Sequence, residues 1–282
     1  MVSPDGRELA RGGRRDEGRG LHVSHEDIRR DIRPDIHREL HRDLGHDSRA
    51  RRACTQQAYR RLPRLENPYI LDLGCGRGGP TRELARLSRG RVVGLDTQRT
   101  ELAHLREAIR STEIAHRILV VAASMQHPPF SRGTFDVLWS EGAIHIVGLD
   151  RGLPMFRPYL RPAGFLVIHE MCWLRPDPPP AIRDRWQPAF PEIGNVDDYV
   201  ARIPSWGFKL LAHFTLPEDF WWNEYYGLLS DRIQVLRKRH AGDQAAQKVL
   251  DREQQEVDLY RQHMAWYGSV FLIMQRDASS ST

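Results

Sequence analysis

Asp72-Leu73-Gly74-Cys75-Gly76-Arg77-Gly78-Gly79 sets an acid two residues ahead of a run of glycines. An apolar run, Tyr69-Ile70-Leu71, precedes it, and Pro80-Thr81-Arg82-Glu83-Leu84-Ala85 follows with a helical pattern. The order is strand, glycine loop, helix. Glycine lets the backbone turn tightly and approach a ligand closely, and a helix N-terminus offers unpaired N–H groups. Many nucleotide sites share such glycines, so the acid is what narrows the chemistry. Asp72 would repel a pyrophosphate and attract a ligand carrying a cationic amine. Gly74, Cys75, Gly76 and Gly79 therefore join Asp72 as ligand-binding candidates.

A second acid lies where a ribose would need one. Arg91-Val92-Val93-Gly94-Leu95-Asp96 reads as a short strand ending in a carboxylate, about 20 residues past the glycines, the spacing at which an acid accepts ribose hydroxyls. Thr97 follows, and Leu102, Leu105 and Ile109 mark one face of the next helix. Three more strands are expected. Ile118–Ala122 ends near Ser124 and Met125. Phe135–Glu141 ends in Ser140 and Glu141. Gly164–Glu170 follows a helix broken by Arg161-Pro162-Ala163-Gly164. Alternating strands and helices imply a doubly wound α/β sheet, with ligands beyond the carboxyl ends of its strands. Asp72, Asp96, Ser124 and Glu141 fall at such ends on four successive strands.

S-adenosylmethionine (SAM) carries an amine and a sulfonium and no phosphate, and residues 72–79 look like the first motif of the class I SAM-dependent methyltransferases. The likeness extends to Trp139-Ser140-Glu141-Gly142-Ala143-Ile144, Gly148, Arg151-Gly152-Leu153, Tyr159-Leu160 and Gly164. Phe190-Pro191-Glu192-Ile193, Leu216-Pro217, Tyr225-Tyr226 and Tyr267-Gly268 extend it further. Over residues 50–276 the chain resembles a bacterial and archaeal group of small-molecule methyltransferases of the type 11 kind. The resemblance implies a Rossmann-like, mostly parallel sheet of about seven strands, SAM as cofactor with S-adenosylhomocysteine as product, and a small-molecule acceptor. It also implies the cofactor set Asp72, Gly74, Cys75, Gly76, Gly79, Asp96, Thr97, Ser124, Met125 and Ser140. The chain departs from that group at Gly45-His46-Asp47-Ser48-Arg49, where a Gly-Pro-Gly stretch is usual. Ser124 replaces an acid near the adenine, His145-Ile146 replace Tyr-Asn, and His169 replaces a serine.

Methyl transfer asks an enzyme to align a nucleophile, exclude water and, for some acceptors, remove a proton. Glu141 is the candidate base or acceptor anchor; its alternative role is to hold the loop. His145 is the second candidate, because imidazole titrates near neutrality. Glu170 and His169 alternate sides of their strand, so at most one faces a pocket. Trp173 and the cluster Phe220-Trp221-Trp222-Asn223-Glu224-Tyr225-Tyr226 suggest acceptor contacts at Glu170, Trp173, Trp222, Tyr225 and Tyr226, or else aromatic filling of a local core. An Asn/Asp-Pro-Pro-aromatic sequence at the fourth strand end would mark nucleic-acid amino-methylation. His127-Pro128-Pro129-Phe130 instead precedes that strand. Nucleic-acid methylation, an NAD-dependent dehydrogenase and a non-catalytic SAM-binding protein remain as alternatives.

Composition sets the frame. The 282 residues are 40% hydrophobic with a net charge of +5 and a pI near 9.3. The basic residues are nearly all arginine and interleaved with acids, which argues against a nucleic-acid-binding stripe. No apolar run reaches the roughly 18–20 residues of a bilayer span. Three scattered cysteines give neither zinc spacing nor a disulfide framework and suit a cytoplasmic protein.

Residues 1–20 are expected to be a disordered tail and 21–52 a helical lid over the cofactor site or an arm lying on the core, on which Ile28, Ile32, Ile36, Leu40 and Leu44 form a winding stripe that Pro34 interrupts. His37 and His41 share a helix face but show no third ligand, so no metal site is assigned. Residues 53–176 are the expected cofactor core and 177–206 a helical connection. Residues 207–282 are expected to hold the last two strands, with a helical cap at 217–265 over the cofactor face, since a hairpin needs only about 2–5 residues.

Overall fold

The computed structural model describes residues 33–42, 44 and 48–277. The expected tail, Ile28, Ile32 and the stretch Gly45–Asp47 lie outside the described residues. Seven strands form one sheet: β1 (Tyr69–Leu73), β2 (Arg91–Asp96), β3 (Ile118–Ala122), β4 (Phe135–Glu141), β5 (Leu160–Trp173), β6 (Phe208–Thr215) and β7 (Tyr267–Arg276). Their order is β3-β2-β1-β4-β5-β7-β6. β1 to β5 pair in parallel, and β7 runs antiparallel to both β5 and β6. The strand order reverses between β1 and β4, and such a reversal opens a crevice at the carboxyl ends of the two strands.

The sheet is covered on both faces, so its central strands are apolar at nearly every position. Leu71 and Leu73 of β1 pack with Leu138, Leu166 and Ile168 on one face. Ile70, Val137, Trp139 and Val167 enter the opposite core with Leu84 and Ala85 of the Gly79–Ser88 helix. β3 and β6 are the outer strands, and Leu119 of β3 is exposed.

β5 starts earlier than the sequence suggests. The preceding helix ends at Phe156, and a 3-10 turn covers Arg157–Tyr159. Leu160 already pairs with Phe135, and the next pair is Val137 with Phe165. Arg161-Pro162-Ala163-Gly164 therefore bulges out of the ladder instead of breaking a helix, with Ala163 at a φ of 59°.

A second core lies beyond the carboxyl end of β5. Residues 217–265 carry a π-helical turn (Trp222–Tyr226) and the helices Gly227–Arg239 and Gln244–His263. Leu229, Ile233, Leu236, Leu250 and Val257 pack there against Trp173, the last residue of β5, and Tyr267, the first of β7. Ile36, Leu40 and Leu44 complete the cluster. Pro34 sits in the first turn of the Pro34–His41 helix, where a missing N–H is harmless. It opens that helix where an interruption was expected. No helix among the described residues is long and apolar enough to cross a membrane.

Candidate functional site

The loop after β1 is built by its glycines and by Asp96. Gly74 has a φ of 72°, and a Cβ there would stand 2.4 Å from that of Ala143. The Gly74 and Cys75 amides donate to the Leu95 carbonyl at 2.8 and 3.1 Å. Gly76 has a φ of 50°, and its missing Cβ faces open space. The Gly76 amide donates to Asp96 Oδ2 at 2.9 Å, and the Gln98 amide to Oδ1 at 2.8 Å. Each carboxylate oxygen keeps a further lone pair for a ligand hydroxyl.

One cavity, of about 200 Å³, opens at the β1/β4 crevice. Its walls include Asp72, Gly74, Cys75, Gly76, Gly79 and Glu141. Asp72 is 1% exposed, and Thr81 Oγ1 donates to its Oδ2 at 2.5 Å. Burial pushes its carboxyl up to about 7, and the charges of Glu141 and Asp96 push the same way. Glu141 Oε1 accepts from Trp139 Nε1 and from Thr55 Oγ1, both at 2.8 Å. Burial raises the Glu141 carboxyl, against those two bonds and the Arg51 charge. Burial also raises the Cys75 thiol, which keeps it protonated and a poor nucleophile.

The sequence did not reveal the far wall. Arg51, Arg52 and Thr55 line this cavity from the Arg49–Tyr59 helix. Ser48 caps that helix by accepting from the Arg51 amide at 3.0 Å. The cap residue and the helical run after it were visible signals, but the expected boundary at residue 52 cut through this element. The Arg51 guanidinium also lies over the Trp221 ring at 4.7 Å, so the cap meets the cavity at this corner.

The remaining candidates separate. Asp96, Thr97, Ser124 and Met125 do not line this cavity. Asp96 borders it through Gly76, and Thr97 is exposed. Ser124 Oγ accepts from the Gln126 amide at 3.2 Å, and the Met125 methyl would lie 3.2 Å from a Cβ at Gly74. Ser140 is fully buried and its hydroxyl donates to the Leu73 carbonyl at 2.9 Å, so it ties β4 to β1.

His145 and Glu170 are in a second cavity of about 180 Å³, with Arg151, Phe190 and Tyr199. Glu170 accepts from the Ile144 amide at 2.8 Å and meets His145 Nδ1 at 3.3 Å. Glu141 and His145, paired on the sequence, thus serve different cavities. His169 points the other way, stacked on Phe271, and burial drops its pKa to about 3, so it is neutral near pH 7.

The four aromatics read as acceptor contacts line neither cavity. Trp173 packs edge-on against Tyr267, and Tyr226 stacks on Tyr260 with centroids 4.1 Å apart. Trp222 lies under the Arg261 guanidinium, and the Tyr225 hydroxyl bonds His41 Nδ1 at 2.9 Å. They fill the cap core, the other role the sequence allowed.

The sheet order is that of a Rossmann-like fold found in solved SAM-dependent methyltransferases, the fold that the motif resemblance implied. Residues 70–164 match the sequence family described as a methyltransferase domain. The chain is 33% identical over 118 residues to methyltransferase GfsG of Streptomyces halstedii, a stretch covering 42% of each protein. The chain therefore spans less than half of that relative. Among solved structures, a SAM-dependent methyltransferase from Geobacter sulfurreducens, in complex with S-adenosylhomocysteine, superimposes with a TM-score of 0.69 at 18% identity. That match covers 85% of this chain and 96% of the other. The [4+2]-cyclase SpnF superimposes with a TM-score of 0.68 at 17% identity, covering 89% and 95%.

Proposed function

We propose that this chain transfers the methyl group of SAM to a small-molecule acceptor. The observation that carries the reading is the placement of Asp72, Glu141 and Asp96 around one glycine loop at the strand-order reversal. Asp72 and Glu141 offer carboxylate oxygens to an ammonium and a sulfonium, in walls that also carry Arg51, Arg52 and Arg77. The open space at Gly76 leaves room for a ligand against the backbone.

SAM supplies an electrophilic methyl on a sulfonium whose departure leaves a neutral thioether. The chain's residues do the rest. Asp72 binds the amine in its ionised form, Asp96 accepts the ribose hydroxyls, and Glu141 takes a proton from the acceptor or anchors it. With SAM bound, an acceptor lone pair held in line by these residues would take the methyl carbon, and the carbon–sulfur electron pair would leave with sulfur. His145 and Glu170, in the neighbouring cavity, are the acceptor contacts in this reading. Cytoplasmic operation fits the unpaired state of Cys54, Cys75 and Cys172.

Calorimetric titration with SAM, S-adenosylhomocysteine and NAD tests the reading. SAM and S-adenosylhomocysteine should bind and NAD should not. Asp96→Ala should weaken S-adenosylhomocysteine by about 1.5–3 kcal/mol, the worth of hydrogen bonds to a charged group. NAD binding more tightly than S-adenosylhomocysteine would overturn it. Methylated product from labelled SAM, in a screen of small metabolites, separates transfer from binding alone.

A further inference from the structure

We infer that His37, His41 and Glu253 form a divalent-metal site, suited to zinc, that fastens the Pro34–His41 helix to the cap. The two histidines are four positions apart and share a helix face. The third group comes from the Gln244–His263 helix, far along the chain. One ligand atom from each of the three lies within 4.8 Å of the other two, and no other trio of His, Cys, Asp or Glu among the described residues converges in this way. His41 Nε2 and Glu253 Oε2 are 3.2 Å apart. A tetrahedral zinc with bonds of about 2.0–2.2 Å separates its ligands by roughly 3.4 Å. One edge of the tetrahedron is therefore already set, and the His37 ring, whose centroid lies 4.3 Å from that of His41, would have to turn to close the others.

Three further features support an ion here. Glu253 is 1% exposed, and its helix neighbours Leu250 and Val257 belong to the apolar core of the cap, so its oxygens face a site that water hardly reaches. The other nitrogen of His41, Nδ1, meets the Tyr225 hydroxyl at 2.9 Å. A proton on Nδ1, donated to that hydroxyl, leaves the Nε2 lone pair aimed at Glu253, the way metal-bound histidines are commonly oriented. Two imidazoles and one carboxylate favour zinc or a late transition metal over magnesium or calcium. The partly exposed His37 gives an ion its way in.

The site lines neither cavity, so its role is to hold structure. The Pro34–His41 helix is also tied down by Arg232, which donates to the Leu40 carbonyl at 2.9 Å, and by an Arg33–Asp243 ion pair. Both contacts are at or near the surface. A metal among His37, His41 and Glu253 would be the deep fastening of this seam.

Full-length protein stripped with a chelator and titrated with Zn²⁺ alone, by calorimetry and thermal melting, tests the proposal. We expect one zinc per chain and a melting temperature that rises with zinc. His37→Ala and Glu253→Gln should each weaken binding at least about 100-fold, since losing even an outer partner of a metal ligand can cost that much. Both should abolish the rise in melting temperature. His37→Ala trims a partly exposed side chain and leaves His41 and Glu253 in place, so it reads metal affinity even if Glu253→Gln misfolds. Absence of zinc binding overturns the proposal and leaves a His41–Glu253 ion pair. Zinc binding that survives His37→Ala places the ion elsewhere and overturns it too.

Discussion

The Asp72 carboxyl lies between β1 and Thr81, and burial lifts its pKa from an ordinary 3.8 to about 7. The folded chain therefore holds this proton more tightly than the unfolded chain does. Its contribution to stability is full below the unfolded value and is lost as pH rises through the folded one, at roughly 1.4 kcal/mol per pH unit between them. Asp72→Asn removes that loss while keeping an acceptor for Thr81. The variant should melt above the parent at pH 8, with the gap closing toward pH 4, and should bind SAM far more weakly. Equal melting temperatures across that range would contradict the protonated state.

Binding of a cation favours the ionised carboxylate, so SAM affinity in the parent should also rise from pH 6 to 7.5. Titration at both values checks this. Glu141→Gln is the matching test at β4. It retains an acceptor for Thr55 and Trp139, so S-adenosylhomocysteine affinity should change little, while turnover of an identified acceptor should fall about 10²-fold. Undiminished turnover would reduce Glu141 to a tie between β4 and the Arg49–Tyr59 helix. Asp72 and Asp96 were legible in the sequence because each sits beside the glycines or at a recognisable strand end. Thr55 was not, because its bond to Glu141 spans 86 positions and only the folded chain brings the two together.

Elements were readable where periodicity was strong. The central strands announce themselves as apolar runs because both faces of the sheet are covered. The start of β5 was missed because Arg161-Pro162-Ala163-Gly164 has turn chemistry, and a bulge in a ladder uses the same residues as a loop. The Arg49–Tyr59 helix was divided because its arginines show little amphipathic pattern; its order rests on the Ser48 cap and on contact with the Gly79–Ser88 helix, where Gln56 Nε2 donates to Glu83 at 2.8 Å. Since this helix carries Arg51 and Thr55 to the cavity, Ser48→Ala should cost about 1 kcal/mol of stability. It should also weaken SAM measurably, although Ser48 does not line the cavity. Urea unfolding and SAM titration on the same variant report both effects.

At the scale of the molecule, the fold is shared with a methyltransferase and with a cyclase at nearly equal TM-scores. The sheet alone does not select a reaction; the side chains at its carboxyl edge do. The aromatic cluster shows the same separation of roles. Tyr226 stacks on Tyr260 inside the cap, so Tyr226→Ala should destabilise the chain by about 3 kcal/mol or more. The KM for an identified acceptor should hold. A raised KM at unchanged stability would return Tyr226 to the acceptor site. Whether those rings would fill a core or a pocket could not be read from the sequence, since both uses ask for the same residues, and the difference lies in what the Pro34–His41 helix covers.

β7 lies between β5 and β6, although it follows both in the chain. A polypeptide made from its N-terminus therefore releases β6 with no neighbour to pair with, and leaves one edge of β5 open, until residues 267–276 have emerged. The cap helices are made during that interval, and their apolar faces also wait for Tyr267. The last step of assembly is thus the insertion of one strand into a prepared slot, and a chain halted at Trp266 would offer two unsatisfied β edges to its neighbours.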